Sequence, residues 1–180
     1  MDITDSTAMA DLVREAQRGR EAAQRALMAR YQQRMAGFAY AITGRSDSVE
    51  DLTQVIFIKM FRALDRLDDP ERFEAWLFRL ARNSCIDHLR REKWRRFFTP
   101  FETEHENIAE TNAPVDSAEL DALRHALQKL KPKDRALIAL AQEGRSQTEM
   151  AAITHSTVSA IKARLHRARE QLRQIYEHDA

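Results

Sequence analysis

The chain has 180 residues, enough for one domain or two small ones. Hydrophobic residues make up 43% and charged residues 32%, so a packed core can form, while four glycines and four prolines are too few for a turn-rich β protein. A single cysteine, Cys85, excludes a disulfide framework and points to a reducing compartment, and the net charge of +1 hides two basic segments separated by an acidic one.

Ala, Leu, Arg, Glu and Gln dominate, residues that lose little side-chain freedom in a helix, so an all-α fold is expected. The first residues carry Asp2 and Asp5 and no apolar run, and no stretch approaches about 18 apolar residues. A signal peptide, a membrane span and direct membrane insertion are therefore not expected, and a cytoplasmic location is.

Residues 9–19 read as a short first helix and 21–43 as a second, with Leu27, Tyr31, Met35, Phe38 and Ile42 on one face. Gly44 ends it. The third helix, about 48–66, has an apolar stripe of Leu52, Ile56, Met60 and Ala63, with Val55, Phe57, Ile58, Phe61 and Leu64 around much of the rest. An ordinary surface helix needs one apolar face. Two readings stay open: burial on all sides, or a helix that packs inward and offers a second greasy face to a partner.

Asp68-Asp69-Pro70 reads as a turn. The fourth helix, about 72–95, packs along Phe73, Leu77, Leu80 and Ser84, with Arg79, Arg82, Asn83, Asp87 and Arg90 outward. Its end interleaves His88, Arg90, Arg91, Lys93, Trp94, Arg95, Arg96 and Phe97. Aromatics beside cations suit single-stranded nucleic acid, whose unstacked bases need a platform; a core role for the aromatics explains Trp76 equally well. From Phe97 to Asp116 helical periodicity disappears, and the stretch is acidic, bracketed by Pro100 and Pro114. It reads as a flexible linker, giving domains at 1–96 and 117–180 with 97–116 between them.

Ser117 restarts a helical pattern with Leu120, Leu123, Leu127 and Leu130 on one face; Lys131-Pro132 breaks it, and 133–142 forms another short helix stopped by Gly144. Ser146-Gln-Thr-Glu149 is a capping box before a helix of about seven residues. After Thr154-His155-Ser156, Thr157 can cap a long last helix whose apolar positions are Val158, Ile161, Leu165, Ala168, Leu172 and Ile175. A short helix, a tight turn and an amphipathic basic helix make a helix-turn-helix. Its outward face, Ser159, Ala160, Lys162, Ala163, Arg164, His166 and Arg167, mixes cations with small residues, as entry into a major groove requires. A plain helical hairpin with a solvated basic face is the competing reading.

Three motifs in this order carry a resemblance: Glu50-Asp51-Leu-Thr-Gln54-Val-Ile-Phe57-Ile-Lys59-Met-Phe61-Arg-Ala-Leu64, then Phe73 to Arg91 with Trp76, Arg82-Asn83 and Asp87-His88, then Lys162-Ala-Arg164-Leu-His166-Arg167-Ala-Arg169-Glu-Gln-Leu172. Together they resemble the extracytoplasmic-function sigma factors of the sigma-70 family. The resemblance implies a sigma-2-like helical bundle and a sigma-4-like helix-turn-helix domain, joined by the linker, on a subunit that binds RNA polymerase core and directs promoter-specific initiation. It implies docking of Asp51, Gln54, Phe57, Lys59 and Phe61 on the β′ clamp helices. It implies −10 recognition and melting by the loop 67–72 with Trp76, Phe78, Arg79, Arg82, Asn83, Asp87, Arg90 and Arg91. It gives the last domain two tasks, binding to the β flap through its apolar surface and −35 duplex reading through Ser146, Thr157, Ser159, Ala160, Lys162, Ala163, Arg164, His166 and Arg167. An anti-sigma factor is a further implied partner. One departure stands out. The family's turn usually reads Leu-Gly-Ile, where this chain has Thr154-His155-Ser156. Without the glycine, His155 is expected in a left-handed conformation.

Other classes fare worse. A helix-turn-helix regulator acting without polymerase accounts for 146–176 but not for 48–64 or 76–96. The six histidines show no paired metal-ligand spacing, Cys85 has no CxxC partner, and no Gly-rich phosphate loop is present. No catalytic residue, metal or cofactor is expected.

Overall fold

The computed structural model describes residues 3–98 and 117–179, and within them every regular element is helical. The expected linker falls almost wholly outside the described residues. The first domain is built from α1 (Ile3–Gln17), α2 (Glu21–Thr43), α3 (Val49–Ala63) and α4 (Phe73–Phe98), with two short 3-10 turns at Leu64–Arg66 and Pro70–Arg72. The second holds α5 (Ser117–Lys129), α6 (Pro132–Gln142), α7 (Gln147–Thr154) and α8 (Val158–Asp179).

The apolar stripe of α2 does what its spacing predicts. Leu27, Tyr31, Met35, Phe38 and Ile42 are all buried, and α2 packs against α1, α3, α4 and α6. Its end is fixed by Gly44, which sits at φ 71° and donates its N–H to the Tyr40 carbonyl at 2.7 Å. That left-handed conformation is what calls for glycine; a Cβ there would also meet the exposed Gln128 side chain, its Cγ at 2.8 Å, which would have to swing aside. α1 begins six residues before the expected start at Met9. The apolar period that marks a helix in the sequence starts with Met9, Ala10 and Val13, which pack on the core, after the exposed Thr7 and Ala8.

α3 decides between the two open readings. Leu52, Ile56, Phe57 and Met60 are buried, whereas Val55 and Ile58 are 40% and 50% exposed. The helix packs through one face and leaves apolar side chains in solvent. The chain then turns through residues 64–72. Gln17 donates its side-chain amide to the carbonyls of Leu64 and Leu67 at 2.9 and 2.8 Å, tying this turn to α1. Asp69 accepts from the Glu71 N–H at 3.1 Å and caps the second 3-10 turn, with Pro70 following where no N–H is needed.

In the second domain Pro132 opens α6 rather than preceding it, because a proline is tolerated at the first helical position. The expected apolar face of α5 is only half buried. Ala126 and Leu130 are inside, while Leu120 and Leu123 are 47% and 38% exposed. α5, α6 and α7 all pack on α8. The domains also pack on each other, α2 against α6 and α4 against α7 and α6. One continuous buried core therefore runs from Val13 to Leu165.

Candidate nucleic-acid interface

The helix-turn-helix begins at a complete capping box. The Glu149 N–H donates to Ser146 Oγ at 3.2 Å, and the Ser146 N–H donates to Glu149 Oε2 at 2.8 Å. Burial alone would raise the Glu149 carboxyl, but hydrogen bonds from Ser146 and Arg145 hold it below its ordinary range. α7 ends at His155, left-handed at φ 52° and ψ 51°, the one non-glycine residue with positive φ among the described residues. Its N–H and that of Ser156 both reach the Ala151 carbonyl. Ala151 is buried, where its small side chain lets α7 and α8 approach. Thr157 then accepts from the Ala160 N–H at 3.2 Å and caps α8.

On α8 the periodicity separates two faces. Ile161, Leu165 and Ala168 are buried; Ser159, Ala160, Lys162, Ala163, His166 and Arg167 are exposed in a row, and so are Ser146 and Thr157. Arg164 differs from its neighbours. It is half-buried, and its Nε donates to Asp134 Oδ1 of α6 at 2.6 Å.

The second basic surface lies on α4. Asn83, Arg90 and Arg91 are exposed; Trp76, Arg79, Arg82 and Asp87 are half-buried. Phe78 is fully buried, edge-on to Phe38 with ring centroids 5.1 Å apart. Trp76 lies beside Phe73 at 5.9 Å. Arg82 donates to Asn83 Oδ1 at 2.9 Å, while its buried Nε has no hydrogen-bond partner. Burial, and then the charge of Arg164 on the other domain, push the Arg82 guanidinium down. Asp87 pairs with Arg90 at 3.2 Å. Toward the end of α4, Trp94 and Phe97 are exposed.

The residues expected to meet polymerase do not share one environment. Asp51 and Gln54 are exposed beside Val55 and Ile58, and Phe61 is half-buried. Phe57 is in the core, and Lys59 donates to Ser84 Oγ of α4 at 3.0 Å. Burial pushes the neighbouring Cys85 thiol up to about 12, against the opposing charge of Lys59.

Sequence patterns missed one cluster. Glu74 at the start of α4 accepts from Tyr31 Oη at 2.6 Å, from Arg34 Nη1 at 2.9 Å and from Arg145 Nη2. Arg34 also donates to Glu143 at 3.0 Å, and Arg145 to Glu149 at 3.1 Å. Burial opposes the charge on Glu74, but these hydrogen bonds and the charge of Arg145 bring its carboxyl down to about 2. Both guanidinium groups lie over the Phe78 ring, Arg145 at 4.9 Å and Arg34 at 5.3 Å from its centroid. Residues 31, 34 and 74 belong to the first domain, and 143, 145 and 149 to the second, so the cluster joins the two.

A capped helix-turn-helix, with a second helical domain carrying an aromatic and basic helix, is the make-up of a nucleic-acid-binding protein. Comparison with known proteins narrows this class. The Sigma-70 region 2 profile matches residues 27–95, covering α2 to α4, and the Sigma-70, region 4 profile matches residues 120–172, covering most of α5 to α8. The chain is 34% identical over 152 residues to ECF RNA polymerase sigma factor SigE of Mycolicibacterium smegmatis, an alignment spanning 82% of this chain and 59% of that longer protein. It is 31% identical over 153 residues to RNA polymerase sigma factor CarQ of Myxococcus xanthus, covering 83% of this chain and 86% of CarQ. The fold is similar to that of the sigma factor RpoE from Bartonella quintana, solved with the anti-sigma factor NepR, at a TM-score of 0.74 and 25% identity over 87% of this chain and 98% of that one.

The chain belongs to the extracytoplasmic-function group of RNA polymerase sigma factors in the sigma-70 family. Regions 2 and 4 together support promoter-directed initiation with RNA polymerase, and sigma factors are not themselves enzymes. No helix among the described residues is long and apolar enough to cross a membrane.

Proposed function

We propose that residues 117–180 read the −35 element as duplex DNA, that residues 1–96 bind polymerase core and open the −10 element, and that residues 97–116 link the two. The observation that carries this reading is the exposed row on α8. Cations and small residues alternate over its first turns, beginning at a capped N-terminus whose free N–H groups favour phosphate. Lys162, His166 and Arg167 meet DNA directly. Arg164 reaches a base edge only by exchanging its contact with Asp134.

In the first domain, Asp51, Gln54, Val55, Ile58 and Phe61 form the surface for the β′ clamp helices. Phe57 and Lys59 support it from behind, the first in the core and the second tied to α4. Exposed Leu120 and Leu123 are suited to the β flap. Asn83 and the loop 67–72 capture a flipped base, with Trp76, Arg79, Arg82, Asp87, Arg90 and Arg91 in the same surface and Phe78 supporting it from the core. Stacking one base contributes about 1–3 kcal/mol, comparable to the cost of unstacking it. Likeness to a sigma factor solved with its anti-sigma factor supports a partner of that kind here, and the setting of promoter transcription supports a cytoplasmic location.

The test pairs Lys162→Ala with Asn83→Ala. The first is expected to weaken binding to −35 duplex DNA by about 1–3 kcal/mol if Lys162 reads a base, and uniformly across sequences if it contacts phosphate. The second is expected to spare −35 binding and impair strand opening, read as permanganate reactivity of the −10 thymines. Unchanged opening by Asn83→Ala would remove that residue from the reading.

A further inference from the structure

We infer that Gln17, in the last turn of α1, is a positioning residue for −10 recognition: its side-chain amide fixes the backbone of the loop 67–72 in the shape that receives the flipped base. The inference rests on the assignment of base capture to that loop above.

The first observation is what the loop and the turn before it offer DNA. Asp65, Asp68, Asp69 and Glu71 are exposed there, against Arg66 and Arg72, and Arg72 is paired with Asp69 at 3.1 Å. A surplus of carboxylates repels phosphate. The loop therefore gains little from the DNA backbone and has to hold a base by shape and hydrogen bonding. Its own backbone geometry then governs affinity, because a loop that must be ordered on binding loses part of what the contact provides.

The second is how that geometry is held. The far end of the loop is fixed from within: Asp69 caps the turn Pro70–Arg72, and Phe73 beyond it is buried. The near end is fixed from outside. Leu67 is extended between the two 3-10 turns, at φ −82° and ψ 101°. A half-buried carbonyl there needs a donor, and the donor is Gln17 Nε2 at 2.8 Å. The same nitrogen donates to the Leu64 carbonyl at 2.9 Å, which also accepts from the Leu67 N–H at 3.2 Å. One amide thus clamps the entry to the loop at two points.

The third is that other groups dock α1. Ala10, Val13 and Ala16 bury its inner face. Its end is closed by the Gly19 N–H on the Ala16 carbonyl and the Arg20 N–H on the Glu15 carbonyl, each at 3.1 Å. Removing the Gln17 amide leaves these in place and frees the loop entry, so the loss falls on base capture rather than on the fold.

The test uses holoenzyme assembled from the full chain and core polymerase. The probes are short single strands carrying the −10 element of a promoter found by start-site mapping, from either DNA strand, intact or with one base removed. The readout is the ratio of affinities, intact over abasic, at each position. A charge change at residue 17 acts on both probes and cancels in the ratio. The wild type is expected to show a ratio of about tenfold or more at the captured base. Gln17→Glu keeps the size of the side chain but loses the donor, and Gln17→Ala deletes the amide; each is expected to lower that ratio about fivefold. Gln17→Lys keeps a donor and is expected to hold it near the wild-type value. Core affinity and −35 duplex binding are expected to stay unchanged in all three, with helix content checked by far-UV circular dichroism. A ratio that survives in both Gln17→Glu and Gln17→Ala overturns the inference and leaves base capture standing. Losses in core affinity or −35 binding as large as the loss in the ratio also overturn it, since they mark a structural role only. No abasic penalty at any position in the wild type removes the base-capture reading itself, and the inference with it.

Discussion

Replacing His155 by glycine isolates the left-handed turn between α7 and α8. His155 holds φ 52° and ψ 51° at the end of α7 and is exposed, so its side chain contributes little packing. The backbone bonds that define the turn, from His155 and Ser156 to the Ala151 carbonyl, survive any substitution that keeps the conformation. A left-handed L residue costs about 1–2 kcal/mol, and glycine removes that cost. Its greater freedom in the unfolded chain returns about 0.5–1 kcal/mol of the gain. His155→Gly is therefore expected to stabilise the chain by about 0.5–1 kcal/mol, a rise in Tm of roughly 2 °C for a cooperative unit of this size. His155→Ala is the control, because it deletes the imidazole and keeps the strain. Urea unfolding of the two variants beside the wild type gives the comparison. A glycine variant no more stable than the alanine variant would refute the strain argument.

Ser146→Ala removes the capping acceptor for the Glu149 N–H and is expected to cost about 1 kcal/mol, read in the same urea titration. Glu74, held at about 2 against an ordinary 4.5, contributes on the order of 3 kcal/mol that is fully present above about pH 5 and is lost as pH falls toward 2. Glu74→Gln is expected to flatten that part of the acid limb, and an unchanged limb would contradict the role given to its ion pairs. Cys85, buried with its thiol pushed up to about 12, is expected to resist a thiol reagent in the native chain and to react once unfolded.

Much of the fold is legible in the sequence because local physics governs it. The α2 stripe, the Ser146–Glu149 capping box and the left-handed His155 follow from spacing or from the absence of a glycine, and the structure has all three. The start of α1 was not legible, since no apolar period precedes Met9 in the sequence. Leu120 and Leu123 fit a buried stripe by spacing, but they are exposed, while Ala126 in the last turn of α5 and Leu130 just after it are buried. The cluster of Tyr31, Arg34, Glu74, Glu143 and Arg145 left no local trace. Each residue reads as an ordinary helix-surface or core position, and only tertiary packing brings positions up to 114 residues apart into one network. The same packing explains Phe78 and Arg164. Sequence marks them by motif, whereas Phe78 packs against Phe38 of α2 beneath Arg34 and Arg145, and Arg164 pairs with Asp134 of α6.

The central claim is tested most directly by transcription in vitro with core polymerase and a genomic promoter pool, followed by mapping of RNA 5′ ends. The expected result is initiation dependent on this chain at a restricted set of start sites that share paired −35 and −10 sequences. Duplex DNA binding by the chain alone, with no start site gained when core polymerase is present, would contradict it and favour a helix-turn-helix regulator that acts without polymerase.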